Sequence, residues 1–160
     1  MRLVAIDPGP IESACVWFND GDVYAHDIWP NDELLGTLAV SQWVGESDAV
    51  VIEQIKSYGK SVGEDVFETV WWTGRFFDRA AGRFIRTEMV PRRNVKMYLC
   101  NSMSAKDSDI RQRLIDIYGG TGGREKAIGR KASPGPLYGI KRDEWQALAL
   151  AVTFNDTEVS

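Results

Sequence analysis

Four carboxylates occupy places from which they could act together. Asp7 closes the short run RLVAID at 2–7, Glu53 closes DAVVIE at 48–53, and Asp143 and Glu144 stand side by side ahead of the apolar stretch WQALALAVTF. Hard cations take oxygen ligands, and Mg²⁺ in particular is held by a few carboxylates together with water and substrate phosphate. Two such ions roughly 3.5–4 Å apart can orient an attacking water and stabilise the leaving oxygen of a phosphodiester without any Ser or His nucleophile. The chain offers no nucleophile triad, and its one histidine, His26, falls in a strand pattern far from the acids, where a structural role is expected. Plainer readings stand beside the catalytic one. Asp7 before Pro8 can simply open a turn, and Asp143 and Glu144 can favour the positive end of a helix dipole. Glu53 is harder to explain that way, because an acid ending an almost wholly apolar strand faces a desolvation cost unless a cation or donors lie nearby.

The elements around these acids follow from periodicity and turn chemistry. Residues 2–7 form a strand stopped by the turn PGP at 8–10. Strand patterns at 13–19 and 23–29 are joined by Asn19, Asp20, Gly21 and Asp22, which predicts an antiparallel three-strand meander. Asn31 or Asp32 is positioned to cap a helix that runs to about 44. Residues 48–53 read as a strand covered on both faces, with the first and fourth strands side by side, so that Asp7 and Glu53 meet at their carboxyl ends. A polar loop at 54–64 leads to a helix from about 65, whose apolar face of Val66, Phe67, Val70, Trp71, Phe76 and Phe77 is wide enough to invite a partner. A fifth strand is expected at about 84–90, helices at about 92–100 and from 107 or 108 to 118, and a last helix from 141 to about 154. The Gly-rich stretch 119–139 reads as an ordered loop at best, and as a disordered one in the free protein.

The 160 residues suffice for one sizeable core, read as a single domain over 1–155 with a tail at 156–160. No apolar run approaches the roughly 20 residues of a membrane span, and the start MRLVAIDPG lacks a secretory pattern, so no membrane and a cytoplasmic location are expected. Cys15 and Cys100 read as buried reduced thiols rather than a disulfide or zinc site. The net charge of −4 is unevenly spread: residues 75–142 hold 16 of the 19 lysines and arginines against 6 acids, whereas residues 1–74 carry 3 basic and 13 acidic residues. A basic segment beside an acidic one suits a surface that neutralises phosphates next to one that holds cations.

Four segments, AIDPGP at 5–10, VVIEQ at 50–54, SAKDSDIRQRLIDIYGG at 104–120 and YGIKRDEWQALALAVT at 138–153, together resemble the RuvC-like Holliday junction resolvases, and among them the phage-encoded members. The resemblance implies an α/β, RNase H-like fold with a central mixed five-stranded sheet flanked by helices. It implies a homodimer formed through the helix at 65–80, and paired nicks in a four-way DNA junction that depend on Mg²⁺, with Mn²⁺ as substitute and two ions per site. Asp7 and Glu53 match the family's first two metal ligands and Asp143 falls at the third, with Glu144 in reserve. The sequence departs from the pattern at Gln146, where the bacterial enzymes usually carry Asp, so that a fourth carboxylate is absent there unless Gln146 binds weakly through its carbonyl oxygen. Lys106 lies near a position where the family keeps a basic residue facing the scissile phosphate. Lys56, Arg111, Arg113, Arg130, Lys131 and Arg142 are candidates for tracking the DNA backbone, and Tyr58 for stacking on a junction base. A broader flap nuclease on the same fold, a junction-binding protein weak in catalysis, and an RNA-directed enzyme of the ribonuclease H type are the rival readings.

Overall fold

The computed structural model describes residues 1–59 and 61–159. Lys60, in the loop expected at 54–64, and Ser160, the end of the expected tail, lie outside the described residues. Strands β1 (Arg2–Asp7), β2 (Glu12–Asn19) and β3 (Asp22–Pro30) form the expected antiparallel meander. Its tight turn carries Asp20 at φ 49° and Gly21 at φ 95°, the consecutive positive values that a two-residue hairpin loop matched to strand twist requires. Strand β4 (Ala49–Gln54) adds parallel to β1, and β5 (Arg86–Pro91) parallel to β4. The order β3-β2-β1-β4-β5 gives a mixed five-stranded sheet flanked by helices, the RNase H-like arrangement.

Side-chain alternation divides the sheet into two faces. Val4, Ile6, Val50 and Ile52 turn toward α1 (Asn31–Val40), the short α2 (Gln42–Gly45) and α3 (Glu64–Ala81), packing with Leu34, Leu38, Val44, Phe76 and Ala80. Leu3, Ala5, Ala49 and Val51 turn the other way, toward α4 (Arg92–Cys100), α5 (Asp107–Gly119) and α7 (Glu144–Val159). From Glu144 to Phe154 every residue of α7 is buried, as expected of a helix apolar all round rather than on one stripe.

Three elements differ from expectation. The helix expected from 31 to 44 is broken at Ser41, which is extended and whose hydroxyl accepts from the Val44 amide to start α2. The Arg83 guanidinium donates to the Leu38 and Ser41 carbonyls at 2.9 Å each, bridging the two sides of the break. Asn31 is no cap: its side chain donates to the Gly9 carbonyl and accepts from the Ser13 hydroxyl, while Ser13 in turn accepts from the Gly9 amide. That buried network fixes the turn after Asp7, where any Cβ on Gly9 would collide with the Glu12 carbonyl.

The stretch 119–139 is ordered. It folds into a 3₁₀ turn at Gly120–Gly122, α6 (Gly123–Ile128) and a small hairpin of β6 (Gly129–Arg130) and β7 (Ser133–Pro134). Ala127 and Leu137 are buried in the main core and tied by a Leu137 N–H to Ala127 carbonyl bond of 2.8 Å. Two apolar anchors ten residues apart are thin in sequence yet enough to pin the segment. The last helix begins at Glu144 rather than 141 and reaches Val159. Both cysteines are free, Cys15 buried and Cys100 half-buried. Among the described residues no helix is long and apolar enough to cross a membrane.

Candidate active site

Parity places the first two acids. Ile6 pairs with Ile52 across the parallel β1–β4 ladder, so Asp7 and Glu53 are the next residues along adjacent strands. Each stands two positions beyond a residue of the α7-facing core, Ala5 and Val51, and successive side chains alternate between faces. Both carboxylates therefore emerge at the carboxyl end of the sheet, on the side covered by α4, α5 and α7. Burial, then the neighbouring Glu53 charge, holds the Asp7 carboxyl well above the ordinary range; Arg92 opposes this, while Asp143 and Asp107 add to it. Glu53 is also raised, again chiefly by burial, with Arg92 pulling it down by charge and hydrogen bond.

Asp143 immediately precedes α7, and its carbonyl accepts from the Gln146 and Ala147 amides. Its side chain is exposed and its charge reaches Asp7. Glu144 faces elsewhere. It is 1% exposed, accepts from the Lys141 amide at 2.6 Å, and lies 3.1 Å from His26 Nδ1. His26, expected to lie far from the acids, thus stands against one of them, because β3 folds back beside the start of α7. Arg142, just ahead of both acids, takes a φ of 48° and so turns the chain into α7.

Two residues to which the sequence reading gave no site role complete this corner. The Arg92 guanidinium, at the first position of α4, lies with Nη1 3.3 and 3.4 Å from the two Glu53 oxygens and donates from Nη2 to Asp107 at 2.8 Å. Burial pulls its pKa down, but Glu53, the hydrogen bond to Asp107 and the Asp7 charge outweigh that and leave it above the ordinary arginine value. The signal for Arg92 was its place: it directly follows Pro91, the end of the third parallel strand, at the edge where α/β sites gather. Asp107 was legible only as a residue opening a helix.

The expected basic residues divide between two clefts and the rest of the surface. A cleft of about 580 Å³ is lined by Asp143, Gln146 and Asp107 together with Arg111, Arg124 and Arg142. A second, of about 510 Å³, is lined by Glu53, Lys56, Tyr58, Arg92, Arg93 and Lys96. The Arg92–Asp107 pair joins them. Arg111 lies over the Trp145 ring, 4.8 Å from its centroid, and Arg142 pairs with Glu12 at 2.6 Å. Tyr58 is exposed at φ 48°. Lys106 is exposed at the start of α5, its amide donating to Asp109. Arg113 lies apart, in a depression with Tyr98 and Asp116, and Arg130 and Lys131 sit on the β6–β7 hairpin, Arg130 paired with Glu125.

No family model matches the chain, and no curated protein does. Solved structures do. The structure of RuvC from Thermus thermophilus is similar at a TM-score of 0.64 and 17% identity, with 99% of this chain and 96% of that chain covered. T. thermophilus RuvC in complex with a Holliday junction substrate gives 0.67 and 18%, covering 99% and 94%. The likeness establishes the fold. At such identity the chemistry must be argued from this chain's own residues.

Asp7, Glu53 and Asp143 carry the hard oxygen donors that Mg²⁺ or Mn²⁺ takes, and one cation, Arg92, already lies against Glu53 within reach of the Asp7 charge. In kind they fit a divalent ion. In placement the set is open: among the described residues no three Asp, Glu, His or Cys side chains stand close enough together to hold one metal.

Proposed function

We propose that this chain is a metal-dependent endonuclease for branched DNA that resolves four-way junctions by paired phosphodiester hydrolysis. The observation that carries the reading is the pair Asp7 and Glu53 on adjacent parallel strand ends, with Asp143 in electrostatic reach and a basic-rimmed cleft on either side. Asp7, Glu53 and Asp143 are the metal ligands in this reading. Mg²⁺ or Mn²⁺ bound there would supply an activated water and neutralise charge on the phosphate. Arg111 and Arg142 in one cleft, and Lys56 in the other, neutralise backbone phosphates, which fixes position rather than sequence. Tyr58 offers an exposed ring to an unstacked base, and Lys106 an exposed charge beside Asp107. Glu144, which lies against His26 and accepts from the Lys141 amide, anchors the segment that carries Asp143.

A homodimer accounts for paired nicks. The outward side of α3 carries Phe67, Val70 and Trp71, all exposed, at positions that share one helical stripe. That stripe is the dimer surface in this reading.

The test is cleavage of a labelled four-way junction beside a linear duplex and a flap, with Mg²⁺, with Mn²⁺ and with chelator. Paired metal-dependent nicks confined to the junction are expected; equal cutting of flap and junction would make it a broader branch nuclease. A second reading, a junction-binding protein that does not cut, is favoured by Gln146 and by the open placement of the carboxylates. Tight junction binding with no cleavage under either metal would establish it.

A further inference from the structure

The carboxylate corner already holds a cation, and that cation belongs to the chain. Arg92 shares one guanidinium between an inner and an outer acid. The inner contacts, to a Glu53 side chain only 6% exposed, are long at 3.3 and 3.4 Å; the outer one, to an Asp107 side chain 65% exposed, is short at 2.8 Å. Asp7 acts on the same charge. A planar fork is suited to serving two carboxylates at once, and the shorter of its contacts lies at the rim. Arg92 already lines the cleft where Lys56, Arg93 and Lys96 gather, so letting go of Glu53 leaves its charge on a side that a polyanion could approach.

A guanidinium and a divalent ion cannot both sit on the Glu53 oxygens, since two cations a few ångströms apart repel by about 4 kcal/mol per unit charge pair at an effective dielectric near 20. We infer that Arg92 is an internal plug of the metal site. It offsets part of the Asp7 and Glu53 charge in the metal-free protein and lets go of Glu53, toward substrate phosphate, as the ion takes its place. This rests on the metal-dependent reading above and deepens it. It also makes metal and DNA binding cooperative, because a phosphate that draws Arg92 outward vacates the carboxylates, and the coupling is reciprocal.

The test is Mn²⁺ binding without DNA, followed by the electron paramagnetic resonance signal of the free ion, for the unaltered protein, Arg92→Gln and Arg92→Lys. Removing the competing charge is expected to tighten Mn²⁺ by about tenfold or more in Arg92→Gln. Arg92→Lys, a point charge that cannot fork between two acids, is expected to fall between. Equal or weaker binding by Arg92→Gln, with a cooperative melt showing it folded, would overturn the plug while leaving the metal site standing. Should Arg92→Gln not fold, Arg92→Lys decides: tighter binding than the unaltered protein supports the plug, and unchanged or weaker binding rejects it. Absence of Mn²⁺ binding in all three proteins would overturn the plug, and absence with a four-way junction present as well would remove the metal-dependent reading too.

Discussion

Asp7 and Glu53 set the energetic tone of the site. Two carboxylates crowded at one sheet edge destabilise the fold unless a proton or a cation sits among them. For Asp7 the sign follows from its raised value. Over the window from the ordinary carboxylate value up to the raised one, the folded state binds more protons than the unfolded, so stability falls as pH rises through it. Asp7→Asn removes the ionisable group. In chelator at neutral pH it is expected to melt higher than the unaltered protein, by roughly 2–4 °C for each kcal/mol of relieved repulsion in a chain of this size. The advantage should shrink as pH is lowered toward the ordinary carboxylate value, where Asp7 is protonated in the folded state of the unaltered protein too. Thermal melts across pH check this, and a lower melting point for the variant at neutral pH would contradict it. The same substitution, and Glu53→Gln, should leave junction binding in place while slowing cleavage by about a hundredfold or more, roughly 3 kcal/mol of barrier. Full cleavage by either would remove these residues from the chemistry.

The elements separate what the sequence displays from what it conceals. Helix α3 shows the difference within about two and a half turns. Phe76 and Thr73 face the sheet while Phe67 and Trp71 face solvent, though composition alone makes the aromatic residues equivalent. Phe76→Ala should lose about 3–5 kcal/mol in denaturant unfolding. Trp71→Ser combined with Phe67→Ser should change stability little yet convert a dimer to a monomer in sedimentation, and an unchanged sedimentation coefficient would move the dimer surface elsewhere. The meander, the parallel β1–β4 pair and the position of Glu53 were legible because alternation, turn residues and strand length all point the same way. The break at Ser41 and the order in 119–139 were not. Each depends on one or two distant partners, Arg83 for the first and the Ala127–Leu137 pairing for the second, which no local period reports. Arg92 and Asp107 were hidden for the same reason: nothing between residues 92 and 107 announces that their side chains meet.

At the scale of the whole molecule, the net charge of −4 conceals a sorting of charge around one edge of the sheet. The acids gather at the carboxyl ends of β1 and β4, and basic side chains line the clefts on both sides, so a DNA backbone crossing this edge would meet cations before and after the carboxylates. Each phosphate neutralised by a side chain releases condensed counterions, steepening the fall of affinity with salt by about 0.9 in the log–log slope for duplex DNA. Arg111 and Arg113 make a controlled pair for testing this geometry. They stand two residues apart on α5, about 200° around the helix, so one faces the cleft over Trp145 while the other lies with Tyr98 and Asp116. Arg111→Ala is expected to weaken junction binding and to reduce the salt slope by about one. Arg113→Ala, which removes the same charge from the same helix, should leave the slope unchanged. Net charge and helix content are identical in the two variants, so only the side on which the DNA lies can separate them. Equal slopes would mean that the junction does not run through the cleft beside Asp143, and would take the basic flank, though not the carboxylate pair, out of the proposed interface.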